Sequence, residues 1–241
     1  MRIVLISLPD STERRDAARK QFGDTGLEFE FFDGINGRTA TTPLFDSIDE
    51  ASYLLNAGRL PSKGEIGCHA SHRAVWKYCI DLDEPVIILE DDAKLESNFA
   101  AAAKQVETLI SDYGFIRLQH LRHHPKKKVC NAGDFELFYC EKYPHGAVGY
   151  AVNPAAAKAL YEHSSTLTAP ADKFIKNFWQ HGQPMYCLLP ESITPGILNE
   201  ESTIEGRDKP PSSLALRLKR IGFKLGSAIK RAAFNRAHGP R

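Results

Sequence analysis

The run Val86-Ile87-Ile88-Leu89-Glu90-Asp91-Asp92 sets four aliphatic residues, three of them β-branched, directly before three carboxylates. Such a run reads as a buried strand that surfaces into an acidic turn. In open α/β sheets ligands bind beyond the carboxyl ends of the strands, where carboxylates can hold a hard divalent cation against phosphates. Glu90 and Asp92 are then the metal ligands. The alternative is an acidic helix start, since Asp91 and Asp92 precede Ala93-Lys94-Leu95 and would favour the helix dipole.

Cations and imidazoles come next. Arg2 to Leu8 reads as a strand broken by Pro9-Asp10-Ser11, and Thr12-Glu13-Arg14-Arg15 starts a helix that Asp10 or Ser11 can cap. A strand opening into a helix offers backbone N–H groups and basic side chains to an anion or nucleotide. Arg14 and Arg15 are candidates for a diphosphate, with a solvated helix arginine the preferred reading for Arg15. Pro61-Ser62-Lys63-Gly64-Glu65 starts a helix reaching Ile80, on which Glu65, His69, His72 and Trp76 share one face. A carboxylate and two imidazoles in one stripe admit a metal, but the H-E-x-x-H zinc motif is absent. The favoured reading is a buried His72 hydrogen-bonded near the ligand, with Glu65 orienting a loop or a sugar. Arg117, in the otherwise apolar run Phe115 to Gln119, is either an edge-strand residue or a buried partner for carboxylates. His120 to Lys128 is a basic loop that meets an anionic acceptor or faces solvent. Gly146 and Gly149 permit close backbone approach to a ligand.

The elements that carry these residues are strands and helices in alternation. Leu27 to Phe32 is a second strand, giving a strand-helix-strand parallel unit. Residues 36 to 62 form a loop with some helix over the active face. Ala93 to Ser111 is a helix and Phe135 to Cys140 a strand. Asn153-Pro154 starts a helix to His163, Pro170-Ala171-Asp172 one that ends near His181-Gly182, and Met185 to Leu189 is the last strand. The expected fold is α/β, a mostly parallel central sheet flanked by helices.

At 241 residues and 42% hydrophobic content the chain can bury one sizeable core, assigned to residues 1–206, with a tail at 207–241. No signal peptide and no bilayer-length apolar run are visible, so a cytoplasmic location is expected. Five cysteines without a C-x-x-C pair read as reduced thiols, mostly packing. The formal charge of +1 is uneven: residues 207–241 hold ten Lys or Arg against the single Asp208, a charge of +9, leaving −8 for the body. An acidic body argues against a nucleic-acid groove.

In this order the motifs resemble glycosyltransferase family 25, the bacterial lipopolysaccharide and lipooligosaccharide β-galactosyltransferases related to collagen galactosyltransferases. The matching pieces are Ile6-Ser7-Leu8 with Ser11-Thr12-Glu13-Arg14-Arg15, Phe31-Phe32-Asp33-Gly34, Gly64-Glu65-Ile66-Gly67-Cys68 with Ser71-His72 and Trp76, Leu89-Glu90-Asp91-Asp92, Arg117-Leu118, Gly149-Tyr150, and Pro170-Ala171-Asp172. They run in family order over about residues 3 to 190, and the order is more specific than any one motif. The resemblance implies a GT-A-like fold, a UDP-sugar donor, Mn²⁺ or Mg²⁺ at the acidic motif, and inversion at the anomeric carbon. It also implies donor contacts from Ser7, Leu8, Asp33, Asp91, Gly149 and Tyr150 beside Arg14, Glu65, His72 and Arg117. Ala171 stands where an aliphatic residue is common before the aspartate, and Gly146 replaces a small polar residue before Ala147.

Transfer from UDP needs the leaving diphosphate neutralised, which a divalent cation on Asp92, with Glu90 through water, can provide. Arg14 or Arg117 adds to it. Inversion needs a base for the acceptor hydroxyl, and Asp172 is the candidate, with Glu191 second; a plain helix N-cap is the other reading of Asp172. The expected function is galactosyl transfer to a lipopolysaccharide or lipooligosaccharide saccharide. The alternatives are another nucleotide-sugar transferase and a non-catalytic saccharide-binding relative, which would be expected to lose the carboxylates kept here.

The tail shows a second periodicity. Leu214, Leu218, Ile221, Leu225, Ala228, Ile229 and Ala232 share one helical face, while Arg217, Lys219, Arg220, Lys224, Lys230 and Arg231 crowd the rest. Pro210-Pro211 separates this helix from the body, and Ser212 or Ser213 can cap it. A basic amphipathic helix on an acidic enzyme reads as an anchor to anionic lipid, placing the enzyme on the inner face of the bacterial inner membrane beside a lipid-linked acceptor. The alternative packs the stripe on the body or on a second subunit, giving a homo-oligomer.

Overall fold

The computed structural model describes residues 1–119, 126–196 and 213–240. The chain begins with β1 (Arg2–Ser7), α1 (Thr12–Gly23), β2 (Glu30–Asp33), β3 (Ser47–Ile48), α2 (Glu50–Ala57), α3 (Lys63–Leu82) and β4 (Val86–Glu90). It continues with β5 (Ala93–Leu95), α4 (Phe99–Tyr113), β6 (Phe115–Arg117), β7 (Lys126–Ala132), β8 (Phe135–Cys140), β9 (Gly149–Val152) and α5 (Pro154–Glu162). The last elements are β10 (Thr166–Leu167), α6 (Ala171–Lys176), α7 (Phe178–His181), β11 (Tyr186–Leu189), β12 (Ile193–Pro195) and α8 (Leu214–His238).

One eight-stranded sheet runs in the order β2-β1-β4-β9-β6-β11-β8-β7. The β1/β2, β1/β4 and β6/β11 pairs are parallel, whereas β4/β9, β6/β9, β8/β11 and β7/β8 are antiparallel. The sheet is therefore mixed, which corrects the expectation of a mostly parallel one. A buried apolar run such as Gly149 to Val152 carries no signature of strand direction, and β9 slots between β4 and β6 against their sense. The consequence is that β1, β2, β4, β6 and β11 all end at one edge, where β9 begins.

Alternation sorts the core onto the two faces of the sheet. Val4 and Ile6 join Val86, Ile88, Tyr150 and Val152 beneath α3, α5, α6 and α7, while Ile3 and Leu5 join Ile87 and Leu89 beneath α1 and α4. Val86 to Leu89 are fully buried, and each such side chain is worth about 1.5–3 kcal/mol relative to exposure. The acidic turn thus leaves from a strand clamped on both faces. Helix α3 is started by a capping box between Ser62 and Glu65. Gly67 lets the loop after β2 lie directly on it, since a Cβ there would overlap the Ile35 carbonyl and the Gly37 amide.

Several local expectations change. Residues 93 to 95 form strand β5, paired with β12, and the next helix starts only at Phe99. Asp91 and Asp92 therefore sit in a turn between two strands, and the helix-dipole reading fails. Ser11 occupies the cap position of α1 without a side-chain capping bond. Lys126 to Lys128 belong to strand β7 rather than a loop, and residues 120–125 lie outside the described residues. Asn177 divides the helix after Pro170 in two, and β12 follows the strand taken as last. In α8, capped by Ser213, the face turned to the body carries Arg220, whose Nε donates to the Leu55 carbonyl at 3.2 Å, and Phe234, 5.3 Å from the Phe178 ring. Asn235 bridges the Tyr139 hydroxyl at 2.9 Å and the Glu141 carbonyl at 2.8 Å. Leu214, Leu218, Ile221, Leu225 and Ile229 point away, 55–73% exposed, so the leucine and isoleucine stripe does not pack on the body. Pro210-Pro211 lies outside the described residues.

Candidate active site

The first strand and helix are sewn to the acidic turn by polar bonds. The Ser7 hydroxyl donates to Asp91 Oδ2 at 2.8 Å, and Arg14 Nη1 donates to Asp91 Oδ1 at 2.8 Å. Both Asp91 oxygens are thereby engaged. Leu8 follows in the same turn, its carbonyl accepting the Ser11 amide at 3.1 Å. Arg15 is not a solvated arginine: its guanidinium donates to Asp33 and to the Ser7 carbonyl and lies 4.8 Å from the Phe31 ring centre. Burial of its apolar stem against β2 lets the head tie the ends of β1 and β2 together.

The face of α3 meets β4 and β9 through a chain of hydrogen bonds. Trp76 Nε1 donates to the Tyr150 hydroxyl at 3.0 Å, that hydroxyl lies 2.8 Å from His72 Nδ1, and His72 Nε2 lies 2.8 Å from Glu90 Oε1. The indole can only donate, so the assignment that satisfies every atom runs from Trp76 N–H to the Tyr150 oxygen, from Tyr150 O–H to His72 Nδ1, and from Nε2–H to Glu90. The chain fixes the imidazole tautomer and aims its proton at the Glu90 carboxylate. Gly149, at the start of β9, lies against Ile193 and Leu89. Cys68, one turn before His72, brings its sulfur within 4.8 Å of the His72 and Glu90 ligand atoms. Sequence reading gave Cys68 as a motif residue and a packing thiol and missed its place beside His72, although the i, i+4 spacing was visible.

Asp92 differs from its neighbours. Its Oδ1 is buried with no hydrogen-bond partner among the described residues. Burial, together with the charges of Glu90 and Asp91, pushes the carboxyl up to about 7. A buried carboxylate oxygen without a partner is what a hard divalent cation satisfies, so Asp92 fits such a group. The mixed Cys68, His72 and Glu90 set is less open, because both His72 nitrogens already have partners.

Arg117 lies in the middle of the sheet, 1% exposed. Neither of its expected settings holds: β6 is not an edge, and its guanidinium bonds to oxygens of amides rather than to carboxylates. Its guanidinium donates to the Gly146 carbonyl at 2.8 Å, the His145 carbonyl at 2.9 Å and Gln119 Oε1 at 2.8 Å. It therefore clamps the loop before β9, and those oxygens satisfy its buried N–H donors. That loop carries His145, whose Nδ1 lies 3.3 Å from Asp172 Oδ2. Pro170 occupies the N-cap position of α6, so Asp172 is not the cap. Burial alone would raise the Asp172 carboxyl, but the His145 contact and the Lys173 charge outweigh it and hold it below the usual range. Glu65 is bonded bidentately to Arg59 and to the Ser62 amide. Glu191 follows β11, its carbonyl accepting from Asn98 Nδ2 at 3.1 Å.

The sheet edge thus gathers Ser7, Leu8, Arg14, Asp33, Glu90, Asp91, Asp92, His72, Gly149 and Tyr150, while His145 ties Asp172 to the loop that leads into β9. An α/β protein with a carboxylate site where its parallel strands end belongs to a class that binds ligands at that edge. Residues 1–175 match the family model described as glycosyltransferase family 25 (LPS biosynthesis protein). The chain belongs to glycosyltransferase family 25. It is 27% identical to the lipooligosaccharide biosynthesis protein lic2B of Haemophilus influenzae, over 98% of this chain and 91% of that one. It is 28% identical to a putative glycosyltransferase of the same species over 85% of this chain and 76% of that protein. It is also 24% identical to human procollagen galactosyltransferase 2, over 72% of this chain but only 29% of the human protein.

Proposed function

We propose that this glycosyltransferase is an inverting hexosyltransferase of GT-A-like fold. It moves galactose from UDP-galactose to a saccharide of lipopolysaccharide or lipooligosaccharide, with Mn²⁺ or Mg²⁺ held by Asp92 and Glu90. The observation that carries the reading is the buried, unpartnered Asp92 oxygen at the strand edge, beside Asp91 locked by Arg14 and Ser7. A divalent cation at that turn would neutralise charge on the departing diphosphate. The family match and the name of lic2B support the donor class and the acceptor class.

The residues divide the work. Arg14, on the sheet edge, adds positive charge toward the diphosphate while holding Asp91. His72 keeps Glu90 oriented as a carboxylate. Asp172 takes the proton of the acceptor hydroxyl as its oxygen bonds to the anomeric carbon and the bond from that carbon to UDP breaks, with configuration inverted. A carboxylate held below its usual range is a weak base, so the proton moves late, when the attacking oxygen has already become acidic. The His145 contact steadies it throughout.

The same reading puts the enzyme on a membrane surface, at the cytoplasmic side of the inner membrane. Helix α8 contains no acidic residue. Its exposed leucine and isoleucine stripe faces away from the body and is flanked by exposed Arg217, Lys219 and Lys230. An apolar stripe bordered by cations complements an anionic bilayer, with the basic heads reaching its phosphates. No helix among the described residues is long and apolar enough to cross a membrane. The test of the function is a panel of UDP-hexoses assayed for hydrolysis and transfer with Mn²⁺ and with EDTA. Turnover of UDP-galactose only with metal supports the reading, and metal-independent turnover or preference for another hexose contradicts it in that part.

A further inference from the structure

A cavity of about 320 Å³ lies where α2, α6 and α7 meet α8. Its wall carries Lys173 and Lys176 on one side and Arg220, Lys224 and Arg231 on the other, with His145 at its margin, and no lining residue is acidic. The volume falls in the range of small-ligand pockets, roughly 300–1,000 Å³. Lys176 sits among cations: burial, together with Lys173, Lys142 and Arg231, lowers its ammonium despite the opposing pull of Asp172, and its Nζ donates to His145 Nε2 at 3.1 Å. Among the described residues Lys224 and Arg231 form no salt bridge, although Glu and Asp pairs occupy many other surface cations.

So many cations around one water-accessible space repel one another unless an anion enters. Some of this charge is already directed at neutral acceptors, since Arg220 donates to the Leu55 carbonyl and Lys173 to the Asn56 carbonyl at 3.1 Å. The aromatic rings of Trp179 and Phe223 also line the space, offering apolar faces on which a sugar ring can rest. Guanidinium and ammonium groups converging beside such rings match a phosphate ester on a saccharide. His145 belongs both to this wall and to the contact with Asp172, so a group bound here lies next to the proposed base.

We propose that this cavity binds a phosphate ester, so that the enzyme takes a phosphorylated saccharide acceptor. This rests on the transferase reading for the role of Asp172 but not for the binding itself. It also gives α8 a second task, since its inner flank completes the cavity while its outer face stays free for lipid. A lipid headgroup carries the same phosphate chemistry, and the experiment separates the two sources.

The experiment is a calorimetric titration of the full chain, saturated with UDP and Mn²⁺ to fill the donor site, with galactose 6-phosphate and with galactose. The phosphate should bind saturably and the neutral sugar should not. Lys224→Gln with Arg231→Gln should weaken the phosphate about ten-fold or more, the scale of lost charge-assisted bonds. Lys219→Gln with Lys230→Gln removes equal charge from the outer flank and should leave it unchanged. Equal binding by all three proteins, or none by the wild type, overturns the proposal. Displacement of the sugar phosphate by phosphatidylglycerol vesicles would assign the site to a headgroup and overturn the acceptor assignment, while persistence upholds it. Failure of UDP itself to bind would count against the donor reading, and galactose 6-phosphate titrated without UDP would still decide the cavity.

Discussion

Ser7 and Asp91, 84 positions apart in the chain, are joined by a 2.8 Å hydrogen bond, and the second Asp91 oxygen takes the Arg14 guanidinium at 2.8 Å. With Asp91 engaged on both oxygens and Glu90 Oε1 on His72, the acidic turn keeps a buried Asp92 oxygen that has no hydrogen-bond partner among the described residues. The division of labour among three consecutive carboxylates follows from which of them the first strand and helix reach.

Asp172 is the proposed base for the acceptor hydroxyl. In Asp172→Asn turnover should fall by roughly two to four orders of magnitude while UDP affinity is kept, the usual scale for losing a general base. Steady-state kinetics with a UDP titration reads both quantities. Turnover like wild type would remove Asp172 from the role and direct the same test to Glu191→Gln.

The Trp76, Tyr150, His72 chain makes a stability prediction. Tyr150→Phe leaves Trp76 Nε1 and His72 Nδ1 buried without their common partner, at a cost of about 1–3 kcal/mol for an unsatisfied buried group. Urea unfolding should show a lower midpoint with an unchanged slope. A midpoint equal to wild type would mean that water or a shifted ring satisfies both nitrogens.

In Asp92→Asn, where the Asp92 carboxyl that burial pushes up to about 7 no longer offsets them, two buried histidines should make stability fall with acid. Burial holds His69 down to about 3 and His181 down to about 4, so both stay neutral in the fold. In the unfolded chain both titrate at their ordinary value of about 6.5. Between these values the unfolded state binds more protons, so stability declines as pH falls below about 6.5, by about 1.4 kcal/mol per pH unit for each histidine. The decline ends once pH passes below the folded values. Urea midpoints of that variant between about pH 6 and 4.5, with added His69→Gln showing about half the slope, would bear this out. A flat profile there would mean that the histidines titrate normally.

Much of this was legible in the chain. The buried run before Glu90 announced β4 and the edge site, and the stripe of Glu65, His72 and Trp76 announced which face of α3 turns inward. What periodicity could not give was strand direction, hence the antiparallel β9, and the fate of individual charges. Arg15 looked like a surface residue because nothing in sequence spacing reveals that Asp33, 18 positions on, ends the neighbouring strand. Arg117 looked like a carboxylate partner, yet its acceptors are carbonyls of a loop nearly 30 residues away. The pairing of His145 with Asp172 likewise depends on tertiary structure alone.

Helix α8 supplies a prediction that leaves the body intact. Leu218→Ser with Leu225→Ser alters only exposed stripe positions, so thermal unfolding should be nearly unchanged. Co-sedimentation with anionic vesicles should drop sharply, and transfer to a lipid-borne acceptor should slow while a short soluble acceptor is unaffected. If the double variant sediments like wild type, or wild type ignores anionic vesicles at low salt, the stripe belongs to a protein contact. A concentration-dependent dimer would then identify the partner as a second copy.

Calorimetric titration of UDP with and without Mn²⁺ tests most directly whether Asp92 holds a divalent cation against the donor diphosphate. Wild type should bind UDP about ten-fold or more tightly with Mn²⁺ than with EDTA, and Asp92→Asn should bind it equally weakly under both conditions while unfolding at nearly the same temperature. An Mn²⁺-dependent gain in UDP affinity as large in Asp92→Asn as in wild type would contradict it.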